Sequence, residues 1–487
     1  MTLPRGFFKF MPVILYNLTS KTNALSKENK LNYFKGWNRS GETLCMEHLE
    51  KFASFIHATR YEAVPESVIT RAKLILADCV AAIVGGMAEP EMQNLVETTP
   101  TSGLANILGT SVSADMMTAS FINGTAGTVL EMDEGSQFAR GHPGMHVFPA
   151  LLAAAQIQPI SEKEFLSAFI VGYDIAARIG IGTSLNPHMH PHGTWGGLGA
   201  AAALANFYKL DAPKISSLLN IASSLTLATS RKTMLEGGTV RNTYTGISNQ
   251  MAHLSYQLLK SGFTGERDGI SSVFGTVVSS QFNAELACEL LGERYEVERN
   301  YFKLHACCRY NHAALDALWL LMERHKSLEN IHQIDSISVK SYVLAAELSE
   351  QRPQNVLASK FSVPFALATT LVNRSSGVLS FTNSSLENPD IISLAAKITV
   401  TDEPSMSKKL PDFRPAEVII SLVDGTVLKE TVETNKGDWR DPYNEEQLRT
   451  KFLDLTARLW PKDKSALIYE EIKEMGTKGD ILFTLKL

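Results

Sequence analysis

The chain has 487 residues, 44% hydrophobic and 20% charged, and its 46 Lys and Arg against 51 Asp and Glu leave a formal net charge of -5 with histidine neutral. That composition is globular, long enough for several cores, and excludes a stapled mini-protein, a disordered chain and a whole-surface electrostatic grip on nucleic acid. The longest apolar run, Leu74 to Met87, is cut by Asp78 and falls short of the roughly 18 to 20 residues that cross a bilayer, so no membrane partner is expected.

Residues 1–45 read as an N-terminal tail, because Arg5, Lys9, Lys21, Lys27, Lys30, Lys35 and Arg39 face only Glu28 and Glu42 without a helical period. A transit peptide is the alternative for this basic leader. Cys45, Cys79, Cys288, Cys307 and Cys308 are odd in number and lack CxxC spacing, which predicts reduced thiols and a cytoplasmic location.

From Met46 to Glu298 the pattern is helical. Pro65 and Glu66 open a helix that Gly85-Gly86 is expected to end, and Ser161 with Glu164 makes a capping box before the apolar stretch Phe165 to Ile181. Asp211 precedes another apolar stretch, Ile215 to Leu227, and the small residues from Gly197 to Ala205 predict closely packed helices. After Asn300 the texture changes: Ile337 to Val343 alternates, Ala396 to Thr401 is β-branched, and Val418 to Val432 reads as a hairpin turning at Asp424-Gly425. Helical stretches His312 to Lys326 and Phe361 to Asn373 are interleaved, and Asn444 with Gln447 caps a last helical stretch from Leu448 to Trp460, followed by another. The expected fold is mainly α: a large all-helical domain over 46–298 and 440–487, with a smaller α+β lid inserted over 300–435.

Five of the 12 histidines fall at His142, His146, His188, His190 and His192. A metal reading would use them as imidazole ligands. Pro143 and Gly144 argue against a regular helix through His142 and His146, and Pro187 and Pro191 against a regular loop, so no metal and no other cofactor is expected. The acids of Glu131-Met132-Asp133-Glu134 precede His142 closely, and a carboxylate that fixes an imidazole tautomer makes a proton-transfer site. A polar loop whose acids cap a helix or pair with Arg140 is the bland alternative. Cations sit among small residues at Arg231-Lys232, at Arg241, and in the stretch from Lys303 to Arg309 and His312, as a site for a small polycarboxylate would require. Cys307 and Cys308 are read as packing thiols rather than nucleophiles.

The succession NGTAGTVLEMDEG, GHPG, FPALLAAAQ, GYDIAARIG, MHPHGTWGGLGAAAALA, YFKLHACCRYNHAALDAL and SKFSVPFALATTL resembles the MmgE/PrpD family in order and spacing, over about residues 46 to 480. That family includes 2-methylcitrate dehydratase, cis-aconitate decarboxylase and an epimerase of a dicarboxylate, and its members are cofactor-free homodimers with a helical domain and a lid. The resemblance puts the family's acidic stretch on Glu131, Met132, Asp133 and Glu134, and its proton-moving histidines on His142 and His190. It also implies substrate contacts from Thr194, Arg241, Lys303, Cys308 and His312. The chain departs from the decarboxylase pattern at Glu131 for Asp, Gly135 for Thr, Arg241 for Lys and Cys308 for His. The expected activity is dehydration of a 2-methylcitrate-like hydroxy acid, with catalytic His142, His190, Asp133 and Glu131. Decarboxylation of the cis-aconitate type, cofactor-independent epimerisation and a non-catalytic dimeric binding protein are the alternatives.

Overall fold

The computed structural model describes residues 39–479 and Phe483, with side chains from Glu47 onward. The stretch read as a tail lies outside the described residues up to 38, and α1 (Arg39–Ala58) begins within its last part. Helix α2 (Glu66–Met87) starts behind Pro65 and runs through Gly85-Gly86 instead of stopping there. Gly86 faces the Ala126 carbonyl of α3 (Met116–Val129) at a separation that no Cβ could share, so the glycine serves a helix contact rather than a helix end.

Helix α4 (Pro143–Ile157) corrects a second expectation, because a regular helix does run through His146. Pro143 occupies its first position, where the missing N–H is one of the orphans that any helix start leaves and the fixed φ is already helical. Pro149 inside α4 also removes an N–H from the ladder. Asn249 repairs the gap: its Nδ2 donates to the Met145 carbonyl at 3.0 Å and its Oδ1 accepts from the Ala150 amide at 2.9 Å. Asn249 belongs to α8 (Thr243–Lys260), which packs on α3, α4 and α6 (Gly196–Phe207).

Ser161 and Glu164 close a reciprocal capping box at the start of α5 (Glu162–Gly182). This helix is long and apolar enough to cross a membrane, yet 89% of its apolar window is buried by protein, as in a core helix. Gly199 of α6 lies against Ala176 of α5 with no room for a side chain, which is what the small-residue run achieves. Helix α7 (Ala212–Ser224) is capped by Asp211, which accepts from the Lys214 amide, and ends earlier than its apolar run.

Strands β1 (Ile334–Ser341), β2 (Ile398–Asp402), β3 (Ala416–Leu422) and β4 (Val427–Val432) form one sheet in the order β4-β3-β1-β2. β1 and β2 are parallel, with Ile337 opposite Ile398, and the other pairs are antiparallel, with Val339 opposite Val418 and Ile420 opposite Leu428. Gly425 takes φ 90° in the β3–β4 turn, a conformation that costs glycine little. Along β3, Ala416, Val418, Ile420 and Leu422 are buried in strict alternation. Helix α9 (His312–Arg324) packs on β3 and β4, and α10 (Val363–Asn373) packs on α9 and β2. Helices α11 (Glu445–Thr456) and α12 (Lys462–Glu474) pack on α2, and Asn444 with Gln447 closes a second capping box before α11. The fold is therefore mainly α with small sheets.

Candidate active site

A cleft open to solvent is lined by Glu131, His142, His190, Arg241, Arg309 and Arg414 among others. Segments far apart in sequence build it. The acidic loop after α3 is anchored from behind, where the Glu134 amide donates to Asp78 Oδ2 at 2.8 Å and Asp78 is ion-paired with Lys451 of α11. The same loop is tied to the segment carrying Lys303 by an antiparallel pairing of Gly135–Ser136 with Asn300–Tyr301.

Glu131 holds a left-handed backbone, φ 57°, and is buried with Arg241 on one carboxylate oxygen and Lys303 on the other, the latter at 3.3 Å. Burial alone would raise its pKa, but the two cations outweigh it and hold the carboxyl below the usual range. Asp133, also fully buried, stands 3.6 Å from Lys303 and 3.1 Å from His142 Nδ1. Desolvation pushes its carboxyl up to about 6 against the pull of Lys303, with Glu131 adding repulsion. Burial raises Glu134 further, to about 8, although it accepts from the Gly144 amide at 2.8 Å and from the Tyr173 hydroxyl at 2.9 Å.

His142 points Nδ1 at the Glu134 carbonyl and at Asp133, two acceptors, so that nitrogen carries the proton. No hydrogen bond from a described residue engages its Nε2, which keeps a lone pair at the cleft. His190 has the reverse arrangement: its Nδ1 accepts from the His192 amide at 3.1 Å. Its Nε2 accepts from Arg241 Nε at 3.4 Å, so both ring nitrogens of His190 face N–H donors. His192 stands between them edge-to-face, with ring centroids 4.7 Å from His142 and 4.6 Å from His190. Burial is the main cause that depresses all three, with His142 lowered to about 3, and neighbouring cations push the same way, so the rings are neutral near pH 7.

The structure brings together Glu131, Asp133, His142, His190, Arg241 and Cys308 around the cleft or directly behind it. Lys303 does not line the cleft; it reaches the site only through Glu131 and Asp133. Thr194 lies outside the cleft and spends its hydroxyl on the Pro191 carbonyl at 2.5 Å within its own turn. His312 also lies outside, its Nε2 donating to the Cys307 carbonyl at 3.2 Å. Burial raises the Cys308 thiol to about 11, so this cleft-lining cysteine is a packing thiol near neutral pH. Cys79, Cys288, Cys307 and Cys308 are free. Among the described residues no three His, Cys, Asp or Glu side chains are grouped to hold a metal ion.

Sequence reasoning passed over Tyr301, Arg309 and Arg414 as site residues. Arg309 was noted only as one cation in a basic stretch, and Arg414 sits between Phe413 and Pro415 in a segment without periodicity. It also missed Lys360, which burial lowers to about 8 while its Nζ donates to the Val129 carbonyl at the end of α3.

The MmgE/PrpD N-terminal domain matches residues 50–285, and the MmgE/PrpD C-terminal domain matches residues 305–475. Over 459 residues the chain is 25% identical to a cis-aconitate decarboxylase of Aspergillus terreus, covering 87% of this chain and 92% of the relative. Similarity also extends to the cis-aconitate decarboxylases of Mus musculus, at 23% identity over 85% of this chain and 88% of the relative, and of Homo sapiens, at 23% over 90% and 94%. Two matched domains in order, spanning most of its length, show that the chain belongs to the MmgE/PrpD family.

Proposed function

We propose that the protein is a lyase that dehydrates a hydroxy di- or tricarboxylic acid of the 2-methylcitrate type by acid/base chemistry in the cleft. The observation that carries this reading is His142, a neutral imidazole whose Nδ1 is held by two acceptors and whose Nε2 lone pair faces a cleft lined by arginines. His142 Nε2 takes the proton next to a substrate carboxylate, and the C–H electrons form the C=C bond as the C–O bond breaks. With a substrate carboxylate taking the Arg241 N–H, His190 Nε2 carries the ring proton, Nδ1 still accepting from the His192 amide, and gives it to the departing hydroxide, which leaves as water. Solvent then returns the two rings to their starting states.

Asp133 orients His142 and stabilises the imidazolium that forms. Negative charge that builds on the substrate carboxylate is met by the Arg241 guanidinium beside His190. A substrate carboxylate also raises the basicity of His142, offsetting the burial and cations that depress it. We place this chemistry in a cytoplasmic homodimer that uses no cofactor, on the family resemblance and on the free cysteines.

A second reading, decarboxylation, is favoured by the names of the matched relatives. There the same Nε2–H would protonate carbon as CO2 departs. Incubation with citrate, 2-methylcitrate, isocitrate and cis-aconitate, followed by product mass and chirality, tests both. Loss of water supports dehydration, loss of CO2 supports the second reading, and inversion without mass change refutes both.

A further inference from the structure

Two further guanidiniums of the cleft have unmet hydrogen-bonding capacity. Arg309 and Arg414 are 4% and 5% exposed and both line the cleft. Arg309 donates Nη2 to Asp438 at 2.9 Å and lies over the Tyr301 ring at 4.4 Å, while its buried Nε and Nη1 have no hydrogen-bond partner among the described residues. Arg414 donates Nη2 to the Gln137 carbonyl at 2.7 Å and lies over the Tyr310 ring at 5.3 Å. Its buried Nε is likewise unpartnered, and no described carboxylate forms an ion pair with it.

An arginine cannot shed its proton in a protein, so Arg414, buried with no described carboxylate beside it, is costly and the cleft is built to receive an anion there. Arg309, paired with Asp438, still holds two buried N–H groups unmet. Arg414 contrasts with Arg241 and Lys303, because Glu131 and Asp133 already neutralise those two. Tyr301 is a shared neighbour: its ring carries Arg309 on one face and lies 6.4 Å from the His142 ring. An anion held by Arg309 and Arg414 therefore sits within a short carbon chain of the base.

We infer that Arg309 and Arg414 form the carboxylate subsite of the cleft, taking the terminal carboxylate of a short di- or tricarboxylic acid, while Arg241, paired with Glu131 through Nη1, meets only the charge that develops at the reacting carboxylate. This rests on the proposed reading of the cleft as a polycarboxylate site. Arg309 and Arg414 bind and position substrate; the proton transfers stay with the histidines.

Calorimetric titration of the full chain with malonate, succinate and tricarballylate tests it, using the wild type, Arg414→Gln, Arg414→Lys, Arg309→Lys and Arg241→Met, each checked for folding by circular dichroism. Loss of one charge-assisted carboxylate contact is worth about 10- to 100-fold in Kd. The expected result is that loss in Arg414→Gln, partial recovery in Arg414→Lys, a loss in Arg309→Lys, and a smaller effect in Arg241→Met. In turnover Arg414→Gln raises KM with kcat nearly kept, whereas a merely structural role would not produce that split. Wild-type affinity in a folded Arg414→Gln, or binding abolished by Arg241→Met and untouched by both Arg414 variants, overturns the subsite while leaving the polycarboxylate reading in place. Absence of both binding and turnover in the wild type overturns the two together.

Discussion

The Glu131 carboxylate forms a buried ion pair with the Arg241 guanidinium, although the two side chains come from different parts of the chain and the Glu131 backbone is held in the left-handed region. Lys303 closes on the same carboxylate from the other side. The pair keeps cationic side chains poised behind the histidines without leaving them uncompensated, and the strained backbone aims the carboxylate between them.

Removing Glu131's charge should therefore be severe for stability. Glu131→Gln leaves two buried cations short of an anion, an expected cost of about 3 to 5 kcal/mol. Arg241→Met in the same background should restore part of it, so the double variant is expected to be less destabilised than the two single losses added together. Urea unfolding of the four proteins in the cycle measures this.

His142 and Arg241 should fail differently in catalysis. His142→Gln removes the lone pair assigned to proton abstraction and should lower kcat by about 100- to 10,000-fold with little change in KM. Arg241→Met should raise KM and also lower kcat, since its charge faces the developing negative carboxylate. Steady-state kinetics on folded variants reads both.

Much of this layout was legible in the sequence, and the limits have physical causes. Capping residues are local, so Ser161 with Glu164 and Asn444 with Gln447 can be read directly, as can the Asp424-Gly425 turn. Gly85-Gly86 misled because a glycine required by a neighbouring helix looks the same in sequence as one that ends a helix. Pro143 misled for a related reason: a proline disfavours a helix interior and favours its first position, and only the start of α4 distinguishes the two. In the site, Asp133 and His142 lie close enough in sequence to be paired on paper. The Glu131–Arg241 ion pair and the Arg309–Arg414 pairing on one cleft are set by tertiary packing. Thr194 and His312 carry suitable chemistry, but their polar atoms are spent on carbonyls nearby in the chain.

Stability should fall as pH rises from about 4.5 to 8 through Glu134. Its carboxyl titrates near 8 in the folded protein and near its ordinary 4.5 when unfolded, so the folded state binds the extra proton in that window and loses this advantage as pH climbs. Below 6.5 the buried neutral histidines act in the opposite direction, since the unfolded rings take up protons that His142 and His146 refuse until about 3. Glu134→Gln should accordingly flatten the decline in melting temperature between pH 6.5 and 8, where the Glu134 effect stands alone among these groups.

Dialysis against a chelator should leave activity intact. His142 and His146 commit their Nδ1 atoms to a carbonyl or a carboxylate, and His192 meets three neighbouring imidazoles edge-to-face, which does not converge their nitrogens on one point. Recovery of lost activity by zinc or iron would require the histidines to be reassigned as ligands.

The most direct test of the central claim follows product formation from 2-methylcitrate, citrate and isocitrate by mass and NMR, with the wild type and His142→Gln side by side. The expected result is an unsaturated acid formed by loss of water, at a rate that collapses in His142→Gln while dicarboxylate binding persists. An inverted stereocentre at unchanged mass, or the same unsaturated product from folded His142→Gln at the wild-type rate, would contradict it.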